Sequence, residues 1–159
     1  MKGLRPEKTI ETRVVKTSSP EETRAVGRRV GQMLQVGDCV ALVGRLGSGK
    51  TCFVSGLAEG MKVQGRVASP SFIIMRAHPG PVHLFHADAY RINAPEELEE
   101  AGLFDWLQDG AVVIEWADRV AELLPPDALI VEFEYTDTGR EITFHATTDR
   151  QAKMLKELP

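Results

Sequence analysis

Apolar and polar positions along this chain fall into short blocks whose period switches between two residues and nearly four. Ile10, Thr12 and Val14 alternate with Glu11 and Arg13, which predicts a strand over Thr9 to Lys16. Ser19-Pro20-Glu21-Glu22 opens a helix, with a serine cap, a proline in the first turn and acids at the positive end. Val26, Val30, Met33 and Leu34 give that helix a buried stripe, and Gly37-Asp38 ends it. Cys39 to Val43 is apolar throughout, as expected of a parallel strand covered on both faces. Cys52 to Met61 reads as a second helix, and 65–71 as a loop. Two strands, Phe72 to Arg76 and Val82 to Ala87, flank the turn His78-Pro79-Gly80-Pro81.

Further on, Pro95-Glu96-Glu97 starts a helix and Leu103 to Leu107 has helical spacing. Ala111 to Glu115 is an apolar strand ending in an acid, and Ala117 to Leu124 is helical until Pro125-Pro126 stops it. Leu129 to Tyr135 and Arg140 to Thr147 flank Thr136-Asp137-Thr138-Gly139 as a hairpin, and Asp149 caps a short last helix. Alternating helices and strands with hairpins added predict an α/β protein, a central mixed sheet flanked by helices. At 159 residues the chain suits one domain over 1–159, with 1–8 a flexible leader and the hairpin and helix of 128–157 part of the same unit.

Composition narrows the function classes. The content is 43% hydrophobic and 26% charged, ordinary for a globular protein. No apolar run approaches the roughly 20 residues that span a bilayer, and the N-terminus lacks the apolar core of a signal peptide. Cytoplasmic residence without a membrane partner is therefore expected. The net charge of -4 argues against direct gripping of nucleic acid, which draws most of its affinity from basic contacts to phosphate. Arg24, Arg28 and Arg29, with Arg13 and Lys16 before them, read first as a solvated helix face. Cys39 and Cys52 form no metal or disulfide pattern and read as buried small residues, although Cys52 lies near a helix N-terminus.

The chemistry concentrates at Gly44-Arg45-Leu46-Gly47-Ser48-Gly49-Lys50-Thr51, which fits G-x-x-x-x-G-K-[ST] between an apolar strand and a helix. Glycines let successive backbone N–H groups face an anion, and the helix adds its positive end. Lys50 can then reach the β- and γ-phosphates of a nucleoside triphosphate, and the Thr51 hydroxyl can ligate Mg²⁺. Such a loop needs an acid near the metal, usually at a neighbouring strand end. Glu115 and Asp88 both end apolar strands, so either could ligate the metal while the other orients an attacking water. Ser69-Pro70-Ser71 could close on the γ-phosphate as a switch. Trp116 is read equally as a core indole or a stacking ring, and Arg140 as a solvated charge that could reach a phosphate or base.

Taken in order, Ser-Pro-Glu-Glu-Thr at Ser19 to Thr23, the phosphate loop, Ser69-Pro70-Ser71-Phe72, His86-Ala87-Asp88-Ala89-Tyr90-Arg91, Pro95-Glu96-Glu97-Leu98 and Ile114-Glu115-Trp116 resemble the TsaE family. The similarity runs over about residues 9 to 147. It implies a small bacterial ATPase with a P-loop NTPase-like fold that hydrolyses ATP slowly with Mg²⁺. By the same resemblance it works with the TsaD and TsaB proteins, which place threonylcarbamoyl on the adenosine beside the anticodon of tRNAs reading ANN codons. The implied role is to reset that complex between turnovers, so that tRNA is met only indirectly. By motif position, Lys50 would hold the phosphates, Thr51 and Glu115 would ligate Mg²⁺, and Asp88 would serve hydrolysis. Ser71 would belong to a mobile loop, and Ser19 and Arg140 fall where the family approaches the nucleotide. Three departures stand out: Arg45 where the family usually has aspartate, Ser71 for threonine, and Ala117-Asp118 where a proline commonly follows Glu-Trp.

Two other functions share the same loop. A small-molecule kinase would add an arginine-rich lid and an acceptor pocket, and the sequence has no clear lid segment. A non-hydrolysing switch would bind a partner under nucleotide control without needing Asp88.

Overall fold

The computed structural model describes residues 9–44, 49–65 and 74–159, and within them seven strands form a single sheet. The strands are β1 (Glu11–Thr17), β2 (Cys39–Gly44), β3 (Met75–His78), β4 (His83–Asp88), β5 (Gly110–Glu115), β6 (Leu129–Thr136) and β7 (Gly139–Ala146). Their order is β1-β7-β6-β2-β5-β4-β3. β6, β2, β5 and β4 run parallel, while β7, β1 and β3 join antiparallel at the two sides, which makes the sheet mixed as expected. The central strands are the most apolar because helices cover both their faces, and Val40, Ala41 and Leu42 are wholly buried.

One face carries α1 (Pro20–Met33), α2 (Lys50–Met61) and α5 (Asp149–Lys156) over a core that includes Val26, Phe53, Val113 and Leu155. The other carries α3 (Glu96–Ala101), α4 (Leu103–Asp109) and a 3₁₀ helix (Ala117–Leu123) over Ala41, Leu98, Trp106 and Ile114. α1 and α2 lie unusually close. A Cβ on Gly27 or Gly31 would collide with the carbonyl oxygen of Phe53 or Leu57, and one on Gly56 or Gly60 with that of Arg24 or Arg28. Glycine spaced by four on both helices puts the two bare faces together. Across this contact Arg24 and Arg28 both pair with Glu59, and Arg29 pairs with Glu157, so the basic cluster tethers neighbouring elements.

Four local expectations change. The set Ile10, Thr12, Val14 points outward, with Ile10 54% and Val14 47% exposed, while Val15 and Thr17 face the core. β1 is a sheet edge, and its parity is set by Val15 joining the core and by the Thr17–Thr23 hydroxyl contact at 2.7 Å. β3 extends to His78, opposite Leu84, because the residue before Pro79 favours extended backbone and the proline then ends the ladder. Ala117–Leu123 is a 3₁₀ helix broken at Val120, whose i, i+3 spacing buries both Ala117 and Val120. Thr148, not Asp149, caps α5, accepting from the Gln151 N–H. Residues 1–8, residues 45–48 of the glycine-rich motif and residues 66–73, where the expected switch falls, lie outside the described residues. Among the described residues no helix is long and apolar enough to cross a membrane.

Candidate active site

β2, β4 and β5 are parallel, so Gly44, Asp88 and Glu115 come to the same edge of the sheet. Asp88 and Glu115 are direct neighbours across the β4–β5 ladder. Leu84, Ala111 and Val113 face the core beneath α1 and α2, and the two-residue period of a strand puts His86, Asp88 and Glu115 on that same face. α2 begins at that edge with Lys50 and Thr51 in its first turn, two residues earlier than the apolar pattern indicates. Gly49 precedes it with φ +104°, a conformation that favours glycine.

Lys50 is 4% exposed, yet its chain reaches a polar end. Its Nζ donates to the Gly44 carbonyl at 2.7 Å and lies 3.8 Å from the centroid of the Trp116 ring. Burial holds this ammonium below the usual lysine range, against the opposing pull of Glu115, Asp88 and Asp118. Trp116 has φ +58°. A left-handed tryptophan is strained, and here the turn brings the ring beside Lys50. Tyr90 packs on the indole at 4.9 Å, with the Arg119 guanidinium over both rings. Trp116 is thus both an aromatic wall beside Lys50 and a half-buried indole packed against the core.

The two acids differ in setting. Glu115 is 5% exposed, and its Oε2 lies 2.6 Å from His86 Nε2. Asp88 Oδ1 accepts from the Tyr90 N–H at 2.9 Å, which folds the chain sharply after β4. Asp118 has a buried Oδ1 with no hydrogen-bond partner among the described residues. His86 and Asp118 stand in motifs quoted from the sequence, but the sequence reading gave neither a role. Parity alone could have found His86, since it stands two residues before Asp88 on one strand.

On the other side of the α2 N-terminus, Ser18, Ser19, Pro20, Thr23, Gly49, Cys52, Gly139 and Arg140 line a cavity of about 150 Å³. Ser19 and Arg140 come together here from β1–α1 and β7, 121 residues apart in sequence. Ser19 also caps α1, accepting from the Glu22 N–H, as expected. Arg140 stacks on Tyr135 at 4.2 Å. Cys39 is buried, whereas Cys52 is half-buried at the cavity wall. Arg45, Leu46, Gly47, Ser48 and Ser71 lie outside the described residues.

An edge that gathers a lysine, two carboxylates and a helix N-terminus suits a polyanion held with a divalent cation. Comparison with known proteins shows which family the chain resembles. The family model described as "Threonylcarbamoyl adenosine biosynthesis protein TsaE" matches residues 17–142. A Bacillus subtilis (strain 168) relative, named tRNA threonylcarbamoyladenosine biosynthesis protein TsaE, is 38% identical over 146 residues, covering 90% of this chain and 91% of its own. The Streptomyces coelicolor protein of the same name is 41% identical over 126 residues, covering 75% of this chain and 84% of its own. The crystal structure of Bacillus subtilis YdiB superposes with a TM-score of 0.78 at 31% identity, over 92% of this chain and 93% of that one.

Proposed function

The chain belongs to the TsaE family, and from that premise we propose that it is a Mg²⁺-dependent ATPase that supports threonylcarbamoyladenosine modification of tRNA by acting on a TsaD–TsaB complex. The observation that carries this reading is the alignment of Asp88 beside Glu115 at the strand edge where α2 presents Lys50.

In this reading the glycine-rich loop and the first turn of α2 hold the phosphates through backbone N–H groups. Lys50 leaves the Gly44 carbonyl and binds the β- and γ-phosphate oxygens. The cavity between Ser19, Gly49 and Arg140 takes the nucleoside end. The residues present fit Mg²⁺: an all-oxygen set of the Thr51 hydroxyl and the Glu115 carboxylate, with Asp88 adjacent. When bound, that ion would neutralise charge on the β- and γ-phosphates. Asp88 orients a water for in-line attack on the γ-phosphorus; a new P–O bond forms, the bridging P–O bond breaks, and ADP and phosphate leave. Ser71 contributes its hydroxyl to the γ-phosphate. The energy released resets the partner complex, and tRNA is met only through that complex.

The test is ATP hydrolysis by this protein with and without its own TsaD–TsaB pair, alongside multi-turnover threonylcarbamoyl transfer to tRNA. Both are expected to require this protein and to fail with Glu115→Ala or Asp88→Asn. Transfer that cycles equally well without the protein would overturn the reading.

A further inference from the structure

Glu115 closes a strand whose residues are all buried, and a buried carboxylate is costly unless hydrogen-bonded. Its partner is His86. The imidazole is 1% exposed and the carboxylate side chain 6%, with 2.6 Å between Nε2 and Oε2. His86 stands opposite Val113 in the ladder, so it reaches Glu115 on the diagonal. An ionised carboxylate only accepts, so Nε2 donates. Nδ1 is buried with no partner among the described residues, and with the proton on Nε2 it holds a lone pair rather than an enclosed N–H lacking an acceptor. One oxygen of Glu115 is thereby committed to the protein interior.

We propose that His86 is the positioning residue for Glu115: its Nε2–H fixes Oε2, and with it the carboxylate plane, leaving Oε1 as the oxygen offered to a divalent cation. The inference rests on the reading of Glu115 as a metal ligand. A carboxylate on three rotatable bonds loses binding strength if it must be ordered at the moment of ligation. A donor already in place removes that cost, and loss of such an outer partner typically weakens metal binding by about 10–100-fold. His86 touches neither phosphate nor water in this scheme, so nucleotide binding without metal does not depend on it.

The experiment measures Mn²⁺ binding to the full-length protein saturated with ADP, from the electron paramagnetic resonance signal of free Mn²⁺. ADP affinity in EDTA is measured in parallel by calorimetry. His86→Leu is expected to weaken Mn²⁺ by about 10–100-fold while ADP affinity in EDTA stays within twofold of the parent. His86→Gln carries an amide nitrogen at the reach of Nε2 and is expected to restore most of the loss. His86→Asn, whose amide reaches only the position of Nδ1, is not. If His86→Leu does not fold, the Gln and Asn pair decides, and equal Mn²⁺ affinity in those two overturns the proposal. Undiminished Mn²⁺ binding by His86→Leu, with Glu115→Ala impaired, overturns the positioning role alone. Undiminished binding by Glu115→Ala overturns the ligand assignment beneath it.

Discussion

The Lys50 ammonium stands 3.8 Å from the ring centroid of Trp116 while it donates to the carbonyl of Gly44. Phosphate oxygens are better partners for this cation than a ring face and one carbonyl, since hydrogen bonds between ionised groups are the stronger class. Nucleotide binding in the proposed manner is therefore expected to draw Lys50 off the indole. The emission of Trp116 is expected to change on adding ADP, and Trp116→Phe to abolish that change. Trp106, 7% exposed and stacked on Phe85 away from Lys50, should contribute none of it. Lys50→Ala should weaken ADP by about 10–100-fold, the scale of a hydrogen bond to a charged group. Unaltered affinity would remove the phosphate role of Lys50.

Asp88 and Glu115 sit side by side, yet their substitutions should separate. Asp88→Asn keeps the acceptor for the Tyr90 N–H and removes the charge proposed to orient water. Turnover should fall at least about 100-fold, the lower end for loss of a positioned acid–base group, with ADP affinity nearly unchanged. Single-turnover hydrolysis alongside calorimetry checks this. A variant that hydrolyses ATP at the parent rate would favour a switch that only binds nucleotide.

Gly56 is expected to tolerate no side chain, because the methyl of Gly56→Ala would meet the backbone carbonyl of Arg24 rather than a movable side chain. The intrinsic helix preference for alanine is worth about 1 kcal/mol and works the other way. Overpacking typically costs about 1–3 kcal/mol, and the missing room here is in backbone, so the net effect should be a lower Tm. Each net kcal/mol should lower Tm by roughly 2–4 °C. Thermal unfolding decides the sign.

The two thiols should behave differently. Burial, with Asp127 and Asp38 adding to it, pushes the Cys39 thiol up to about 12 from an ordinary 9.0. Between those values the unfolded chain has lost a proton that the folded one keeps, so stability falls as pH rises, by at most about 1.4 kcal/mol per unit. Urea unfolding from pH 8.5 to 10.5 should therefore show a steeper decline for the parent than for Cys39→Ala; equal slopes would sink this assignment. A thiol reagent should label only Cys52 in the native protein, more slowly with ADP present, since that thiol lines the cavity.

Most elements were legible because their signals are local. A serine cap before Pro20, an apolar run into a glycine loop and an acid closing each of β4 and β5 are all written within a few residues. The α/β class, the mixed sheet and the family followed from their order. Where a signal was ambiguous, the neighbours decided it. β1 has apolar residues on both parities, and only its place at the sheet edge, beside β7 and over α5, turned Val15 inward and Val14 outward. The role of the glycines of α1 and α2 shows only where the two helices meet on their bare faces.

The site divides in the same way. The sequence by itself determined that a phosphate loop starts α2 and that acids end β4 and β5, because strand, loop and helix are contiguous there. Only the tertiary structure decided that Asp88 and Glu115 are neighbours, that His86 holds Glu115, and that Ser19 meets Arg140 across a cavity. Those contacts join segments far apart in the chain, and strand pairing is chosen by the burial of the whole sheet rather than by any local pattern.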